Sequence, residues 1–331
     1  MTVLAGTTRG LFRIDNGEAS PVLDAKGVRE LVRIGSRLFA GTSGGLYVSD
    51  DCGTTWVSSS LPTATVWQVR GSVDGQTLYA AVEPTGLYRS TDAGNSWQAV
   101  ESIHAVSGAT DWCIPVEPRM AARARALVVD PINPDRVWVG VEVGGVVFSE
   151  DGGKSWTHVL PGGNPDIHML FPDPAKPNVL YVSTGYGRLD GVAPMIEGNA
   201  GVFRSTDGGR NWSYAWKGIT PRYSRPMCVD SRAPYSLTVA CAPTAFSSVK
   251  EDDGAKAMLL QSTDGGETWR SLCDIAHSPS PTNFHGLSVH PDSPGDVLTG
   301  TDSGEVWHVT SKQQWTRIAQ GLPAVLAVLA A

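Results

Sequence analysis

The sequence has little charge and no concentration of positive charge. Asp, Glu, Lys and Arg make up 18% of its 331 residues, the formal net charge is −7, and no run of Lys or Arg occurs. Proteins that bind nucleic acid or anionic membranes usually present clustered basic side chains. We therefore expect neither a nucleic acid nor a membrane as a partner. With 41% hydrophobic residues, the chain has enough apolar side chains to fold as a globular protein.

Cysteine is scarce and scattered. The five cysteines are Cys52, Cys113, Cys228, Cys241 and Cys273, and no C-x-x-C pair occurs. This pattern supports neither a disulfide framework nor a zinc site, and we expect no metal and no cofactor. The sequence also lacks an apolar run of 18 residues, the length that a transmembrane helix needs. Its first residues show no basic leader before an apolar core, so a cytoplasmic location is the expectation.

What the sequence does contain is an internal repeat. Five segments follow the pattern S-x-D-x-G-x-S/T-W, with Asn at the seventh place in one of them. They begin at Ser49, Ser90, Ser149, Ser205 and Ser262. The Asp carboxylate can accept backbone N–H groups in a tight turn, Gly supplies a positive φ, and Trp packs a large ring. The repeat therefore predicts a β-hairpin corner that recurs along the chain.

Two weakened copies raise the number of corners to seven. HVTSKQQW, from His308, keeps its Trp but has lost Asp and Gly, and IDNGEASP, from Ile14, has lost the pattern. Counting along the sequence, corners fall at positions 14, 49, 90, 149, 205, 262 and 308, and a propeller blade takes about 35–45 residues. The N-terminal segment can supply outer strands and the apolar C-terminal segment an inner strand. We predict an all-β, seven-bladed β-propeller of four-stranded antiparallel blades, one domain over 1–331, closed by pairing both termini in one blade.

These repeats resemble those of the Asp-box (BNR-repeat) propeller superfamily. That superfamily includes sialidases, sortilin-type receptors, xyloglucan-degrading glycosidases and photosystem II assembly factors. The resemblance covers nearly the whole chain and implies the propeller fold, but its members have unrelated functions. Sialidases use an arginine triad, for which Arg29, Arg125 and Arg225 are candidates, and a tyrosine paired with a glutamate. Because sialidases have six blades and an F/Y-R-I-P motif that is missing here, we do not expect sialidase activity.

The repeats also distinguish the two faces of the propeller. They join the third and fourth strands of each blade and so define the bottom face. The three long insertions, 101–122, 185–200 and 242–257, then fall on the opposite, top face. Long loops in a compact domain are usually functional or mobile. We therefore expect the functional site on the top face.

Polar and aromatic side chains recur at the top of the inner strands. We call these the mouth residues, and they are Arg29, Trp67, Arg125, His168, Arg225 and His285. Two residues further on, every position is apolar: Leu31, Val69, Leu127, Leu170, Met227 and Leu287. Because strand side chains alternate with period two, we expect both series to face the channel, with the mouth residues ringing its opening.

The mouth residues and their neighbours suggest acid–base chemistry on an anion. Three arginines can hold a carboxylate or phosphate. The predicted substrate-binding residues are Arg29, Arg125, Arg225, Trp67, Glu83, Tyr186 and Trp112. The predicted catalytic residues are His168, Glu142, His285 and Tyr223, since histidine beside carboxylate titrates near neutral pH. Metal binding is disfavoured, since no H-x-H or H-E-x-x-H motif occurs and the two histidines lie two blades apart.

Two functions remain open at this point. The first is an enzyme, hydrolase-like or lyase-like, acting on a small anionic or polar molecule at the mouth of the channel. A glycosidase needs two carboxylates roughly 5–10 Å apart, which Glu83 and Glu142 on adjacent blades can supply. The second is a non-catalytic propeller scaffold that binds a protein or peptide partner through the top loops. In that case each arginine pairs with Glu83, Glu142 or a carbonyl and only holds blades together.

Overall fold

The computed structural model describes residues 1–114, 116–176, 178–186, 200–244 and 254–331. The described strands form seven four-stranded antiparallel sheets and one short hairpin, which confirms the predicted seven-bladed propeller. The closing blade takes its three outer strands from the start of the chain: β1 (Thr2–Thr7), β2 (Arg9–Asp15) and β3 (Glu18–Lys26). Blade 1 contains β4 (Glu30–Ile34), β5 (Arg37–Thr42), β6 (Gly45–Ser49) and β7 (Val57–Ser58). Blade 2 contains β8 (Thr65–Gly71), β9 (Leu78–Glu83), β10 (Gly86–Ser90) and β11 (Gln98–Ala99).

The remaining blades follow in chain order, innermost strand first. The short hairpin is β12 (Cys113–Ile114) and β13 (Met120–Ala121). Blade 3 contains β14 (Arg123–Val129), β15 (Val137–Glu142), β16 (Gly145–Ser149) and β17 (Thr157–Val159). Blade 4 contains β18 (Ile167–Pro172), β19 (Leu180–Thr184), β20 (Gly201–Ser205) and β21 (Ser213–Tyr214). Blade 5 contains β22 (Tyr223–Asp230), β23 (Ser236–Ala242), β24 (Met258–Ser262) and β25 (Arg270–Ser271). Blade 6 contains β26 (Phe284–Val289), β27 (Val297–Thr301), β28 (Val306–Val309) and β29 (Trp315–Ala319), and β30 (Val325–Ala330) completes the closing blade.

The ring closes by pairing the two ends of the chain. Strand β30 is antiparallel to β1, with Leu329 opposite Leu4 and Val328 opposite Ala5. The closing blade therefore runs β30-β1-β2-β3 from the channel outward, as the sequence predicted. Pairing the termini in one sheet leaves no open end in the ring of blades.

Each intact repeat builds a turn on the bottom face from its own hydrogen bonds. In the second copy, Asp92 accepts hydrogen bonds from the Ser96 amide at 2.9 Å and the Ser96 hydroxyl at 2.6 Å. The Ser90 hydroxyl donates to Asp92 at 2.7 Å and accepts from the Gly94 amide at 2.9 Å. These bonds, led by that of the Ser96 hydroxyl, lower the pKa of Asp92 to about 2, because they favour the charged carboxylate. The residues that the five copies share thus form hydrogen bonds mainly within their own turn.

The repeat tryptophans connect neighbouring blades. Trp97 donates its indole N–H to the Ser59 hydroxyl of blade 1 at 3.1 Å. Trp315, in the weakened sixth copy, donates to the carbonyl of Leu272 at 2.9 Å. That copy has lost its own Asp, and Asp296 takes over by accepting the Ser311 amide at 2.8 Å. This corner in blade 6 therefore forms without the motif, because the carboxylate comes from Asp296 in a neighbouring turn.

Arginines on the bottom face also link one blade to the next. Arg89 of blade 2 pairs with Asp135 of blade 3 at 2.8 Å, and Arg37 of blade 1 donates to the carbonyl of Ala93 of blade 2 at 3.0 Å. These contacts involve exposed or half-buried side chains, so each contributes little alone. Most of the core lies between adjacent blades, where apolar side chains such as Leu127 and Val139 are fully buried.

The first insertion is partly folded and connects blade 2 to blade 3. It contains short 3₁₀ helices at Glu101–Ala105 and Ala109–Asp111, followed by the β12–β13 hairpin. Two further 3₁₀ helices lie at Pro161–Gly163 and Ile275–His277. Most of the insertions predicted at 185–200 and 242–257 lies outside the described residues. Within the described ranges, no helix has the length and apolar character to cross a membrane.

Candidate functional site

Five of the six mouth residues share a backbone device, a β-bulge on the inner strand. Between β8 and β9, Val66 is opposite Val82 and Gln68 is opposite Ala81, which leaves Trp67 as the extra residue. The same shift in register occurs on four more inner strands, at Arg125, His168, Arg225–Pro226 and His285. Arg29 directly precedes β4, and its amide donates to the carbonyl of Gly41 at 2.9 Å. Bulges re-aim side chains and occur often beside active sites.

The bulges correct one assumption of the sequence reasoning. An extra residue interrupts strict alternation, so the mouth residues and the apolar residues two places further do not lie on one unbroken face. Most of the apolar series is nevertheless buried, with Val69, Leu127 and Leu170 fully inaccessible to solvent, whereas Leu287 is partly buried. Between the two series, Gln68 lies below the mouth, accepting the Leu127 amide at 2.7 Å and donating to the Met169 sulfur at 3.5 Å.

In blades 2 and 3 the mouth is held together by ion pairs. Arg125 Nη1 donates to Glu142 Oε1 at 2.8 Å. Arg123 lies between two carboxylates, with Nη1 3.2 Å from Glu142 Oε2 and Nε 3.3 Å from Glu83 Oε1. Trp67 Nε1 donates to Glu83 Oε2 at 3.0 Å. The chain itself therefore supplies a carboxylate to Arg125, which is the arrangement expected if that arginine also has a structural role.

Trp67 is surrounded by guanidinium groups. The carbon at the centre of each guanidinium lies 4.4 Å (Arg29), 5.2 Å (Arg125) and 5.3 Å (Arg123) from the centroid of the indole ring. Such contacts are favourable electrostatically. Arg29 also donates to the hydroxyl of Ser43 at 2.8 Å. The three predicted residues Arg29, Trp67 and Arg125 are thus brought together.

In blades 4 and 5 the centre of the site is His168, which is completely buried. Its Nδ1 lies 2.6 Å from the carbonyl oxygen of Ser224. Its Nε2 lies 3.2 Å from Asp166 Oδ1 and 3.4 Å from the hydroxyl of Tyr223. Asp166 was not among the residues predicted from the sequence. It is 6% exposed, and its amide donates to the buried Asn164 at 2.8 Å.

The partners of His168 fix the hydrogen on its Nδ1. A carbonyl oxygen can only accept, so His168 Nδ1 carries a hydrogen that it donates to Ser224. The other nitrogen, Nε2, faces both the Asp166 carboxyl and the Tyr223 hydroxyl. A histidine, a carboxyl and a phenol placed together in this way are groups that acid–base chemistry uses.

Glycine is required above this pair. Gly185 follows β19, and its amide donates to the carbonyl of Asp166 at 3.0 Å. A Cβ at position 185 would contact Asp166 and would lie 2.7 Å from both the His168 and the Tyr223 rings. Only a residue without a side chain fits there, so the backbone of Gly185 covers the three groups directly.

The two predicted tyrosines lie side by side and are both buried. Their ring centroids are 5.3 Å apart, and burial raises the pKa of each hydroxyl, that of Tyr223 to about 12. The nearby charge of Asp166 adds to the effect on Tyr223. Tyr223 is therefore a hydrogen-bond donor near neutral pH. A role as a tyrosinate nucleophile is disfavoured by that pKa.

His285 lies beside Arg225 on the next blade. Arg225 Nη1 is 3.4 Å from His285 Nδ1. Burial, together with the charges of Arg225 and Arg125, lowers the pKa of His285 to about 3. His285 is consequently uncharged near neutral pH and holds no proton to donate as an acid. A small cleft lined by Tyr223, Arg225, Asn283 and other residues opens between blades 5 and 6.

Trp112 is placed differently from the other predicted residues. It packs against the core cluster between blades 2 and 3, with its ring 5.6 Å from that of His158. His158 in turn lies 2.7 Å from the carbonyl of Gly144, in the turn after β15. The described contacts of Trp112 therefore anchor the first insertion to blade 3 and do not include a mouth residue.

Among the described residues, one group of side chains could hold a metal ion, and it consists of Glu142, Asp166 and His168. One oxygen or nitrogen from each lies within 4.8 Å of the others. A divalent cation there would compete with Arg123 and Arg125 for Glu142. The cluster thus resembles an acid–base site more than a cation site.

A sequence signal for the missed residues does exist. The positions two residues before the mouth residues form a second series, which includes Thr65, Arg123, Asp166, Tyr223 and Asn283. These five are polar, and the sixth position is Gly27; three of the five make side-chain contacts at the mouth, and Asn283 lines the cleft beside it. The positions two residues before the mouth residues therefore include Arg123 and Asp166, the two residues that the sequence analysis missed.

The seven four-stranded sheets place this chain in the class of seven-bladed β-propellers. Residues 15–240 match the model of the DUF6242 beta propeller domain. The chain belongs to this family.

Curated relatives are xyloglucan-degrading enzymes. The oligoxyloglucan-reducing end-specific xyloglucanase of Emericella nidulans is 26% identical over 336 residues, covering 86% of this chain and 37% of that protein. A xyloglucanase of a Paenibacillus species is 26% identical over 294 residues, covering 73% of this chain and 24% of that protein. The chain thus spans less than two fifths of the length of these relatives.

Solved structures show the same fold. The GH74 enzyme of Niastella koreensis has a TM-score of 0.65 at 18% identity, covering 95% of this chain and 46% of that one. YCF48 from Cyanidioschyzon merolae has a TM-score of 0.57 at 12% identity, covering 88% of this chain and 84% of that one. The resemblance inferred from the repeats, to a propeller superfamily that includes xyloglucan-degrading glycosidases, is confirmed.

Proposed function

We propose that this chain is a hydrolase-like enzyme that acts on a polar, hydroxyl-rich small molecule at the mouth of the channel. The observation that carries the proposal is the convergence of Glu142, Asp166 and His168, whose polar atoms lie within 4.8 Å of one another. Similarity to xyloglucanases supports a carbohydrate as the class of substrate.

The proposed roles follow from the contacts of each group. Two guanidiniums pair with Glu142, which is placed to act as a base or nucleophile. Asp166 and His168 together supply the acid. Tyr223 donates a hydrogen bond, and Arg29 and Arg225 hold polar or anionic substituents of the substrate. One carboxylate oxygen of Glu142 lies within 4.8 Å of one of Asp166, and retaining glycosidases hold their two carboxyl groups about 5–5.5 Å apart.

The test is turnover of xyloglucan oligosaccharides and aryl β-glucosides by the full chain. We expect Asp166→Asn to reduce kcat/KM at least about 100-fold, the usual contribution of a general acid, with thermal unfolding near that of the parent. The matched control is Arg204→Ala on blade 4, whose salt bridge to the exposed Glu267 lies far from the mouth. Hydrolysis that is equal in the parent and in Asp166→Asn would contradict the proposed roles.

A second candidate is a non-catalytic scaffold for a protein or peptide. It is favoured by the extensive pairing of mouth residues with one another, as in Arg125–Glu142. Under this function, neither the parent chain nor Asp166→Asn binds or hydrolyses the carbohydrates in the same assay. Substitutions in the β12–β13 hairpin then weaken partner binding instead.

A further inference from the structure

Asn164 is a fully buried polar residue two places before Asp166, and it has no part in the proposed chemistry. Its side-chain oxygen accepts the Asp166 amide at 2.8 Å. Its side-chain nitrogen donates to the carbonyl of Gly185 at 2.8 Å and to the hydroxyl of Thr184 at 3.3 Å. One side chain thus joins the segment that carries Asp166 to the turn after β19, which covers the site.

The segment that carries Asp166 is also fixed to blade 3. The carbonyl of Pro165 accepts the amides of Gly144 at 3.0 Å and Gly145 at 2.9 Å. Asp166 forms an isolated antiparallel bridge with Glu142, the last residue of β15. Asp166 is therefore held between blades 3 and 4, and the position of its backbone sets how closely its carboxyl approaches that of Glu142.

Asparagine suits this place because its amide offers an acceptor and a donor at the end of a short side chain. A carboxylate offers acceptors alone, and an alanine offers neither. Without the side chain of Asn164, the Asp166 amide and the Gly185 carbonyl both lose this partner, and buried backbone groups need partners. A Cβ on Gly185 would lie 2.7 Å from the rings of His168 and Tyr223, so a small shift of this backbone alters the contacts of the acid.

We propose that Asn164 is a positioning residue, which holds Asp166 at the place where its carboxyl faces His168. This inference rests on the proposed function and adds to its site a residue that touches no substrate, since Asn164 is inaccessible to solvent. Because Asn164 acts through the backbone of Asp166, its loss should slow the chemical step more than it weakens binding. We expect Asn164→Ala to lower kcat about 10-fold with KM within about twofold, a smaller loss than the roughly 100-fold that misplacement by an ångström can cause.

The test combines kinetics with the nuclear magnetic resonance signal of His168 in the full chain. The kcat and KM for aryl β-glucosides are measured for the parent and for Asn164→Ala. The nitrogen chemical shift of His168 Nε2, assigned by its loss in His168→Gln, is followed without substrate. Asn164→Ala should move that shift because Nε2 faces Asp166. The matched control is Thr238→Val in blade 5, which removes a buried hydrogen bond from Gln261 at 3.1 Å and should change Tm alone.

Asn164→Asp separates positioning from general support of the fold. Its carboxyl keeps the shape of the amide and can donate to the Gly185 carbonyl only when it is protonated. Since burial favours the neutral carboxyl, the ratio of its kcat to that of the parent should rise from about pH 8 to pH 5. A ratio that stays low at pH 5 would contradict a role through that bond. This comparison decides the matter even if Asn164→Ala fails to fold.

The outcomes separate this inference from the function on which it rests. If the parent hydrolyses the glucosides and Asn164→Ala matches it in kcat, the inference is overturned while the proposed function stands. If the parent hydrolyses none of them, the proposed function fails, and the shift of His168 Nε2 alone then decides whether Asn164 positions Asp166. Equal changes of that shift in Asn164→Ala and Thr238→Val would overturn the inference and assign Asn164 to the stability of the fold.

Discussion

The two faces of the propeller use repetition in opposite ways. On the bottom face, five turns repeat the same residues and the same hydrogen bonds, as at Asp92 and Ser90. On the top face, a bulge recurs on most of the inner strands, but the residue that it presents changes from blade to blade, for example from Trp67 to Arg125 and His168. A repeated residue marks a structural need shared by all blades. A varied residue on a repeated backbone device marks a place where each blade contributes something different.

The largest expected effect comes from a substitution on the top face that leaves the bottom face unchanged. Gly185→Val should reduce binding and turnover of the carbohydrate probes about 100-fold, because displacing catalytic groups by an ångström has effects of that order. The new side chain collides with Asp166, His168 and Tyr223. Kinetics with aryl β-glucosides check the prediction.

Gly44→Ala is the matched control for that substitution. Gly44 lies in the equivalent turn of blade 1, where an added Cβ meets only the Thr42 hydroxyl, at 4.0 Å. Activity should stay near that of the parent. If Gly44→Ala and Gly185→Val lose activity equally, the site does not lie beneath Gly185.

A smaller effect, on stability only, is expected from the bottom face. Asp51 accepts the amides of Thr54 and Thr55 and the Thr55 hydroxyl, whereas its neighbour Asp50 pairs only with Arg37 among the described contacts. Asp51→Ala should lower Tm by several degrees and Asp50→Ala by about one degree or less. Calorimetry of both variants, with ligand binding measured alongside, checks this. Weakened binding in Asp51→Ala would mean that the two faces are coupled.

The smallest expected effect concerns pH and His285. The unfolded chain takes up a proton on this residue as pH falls below about 6.5, whereas the folded chain does so only near pH 3, where burial and two arginines hold its pKa. The free energy of unfolding therefore decreases as pH falls through this window. In His285→Gln this titrating group is absent. Between pH 7 and pH 5, the free energy of unfolding of this variant should therefore decrease by about 1–2 kcal/mol less than that of the parent.

Denaturant unfolding at pH 7 and pH 5 measures the difference. His104→Gln is the control, since His104 is exposed on the first insertion. Equal pH dependence in His285→Gln and the parent would show that His285 is not buried in its neutral form in the folded chain.

Much of the fold was predictable because its signals are local. A repeat of eight residues, such as that from Ser90 to Trp97, contains nearly all the hydrogen bonds of its turn. The positions of the mouth residues were predictable for the same reason, since they recur at a fixed place in each blade. Their contacts were not predictable. Arg123 and Asp166 lie two residues upstream of the mouth residues and were missed, and the bulges that break strand alternation leave no mark in a hydrophobic pattern.

The sequence by itself determined the number of blades, the closing of the ring by both termini, and which face carries the repeats. Local hydrogen bonds and apolar periodicity suffice for these, because each blade is built from contiguous residues. Only the tertiary structure decided that Glu142 meets Asp166 and His168. Those contacts join different blades, and they depend on the register of each inner strand, where a β-bulge inserts one extra residue.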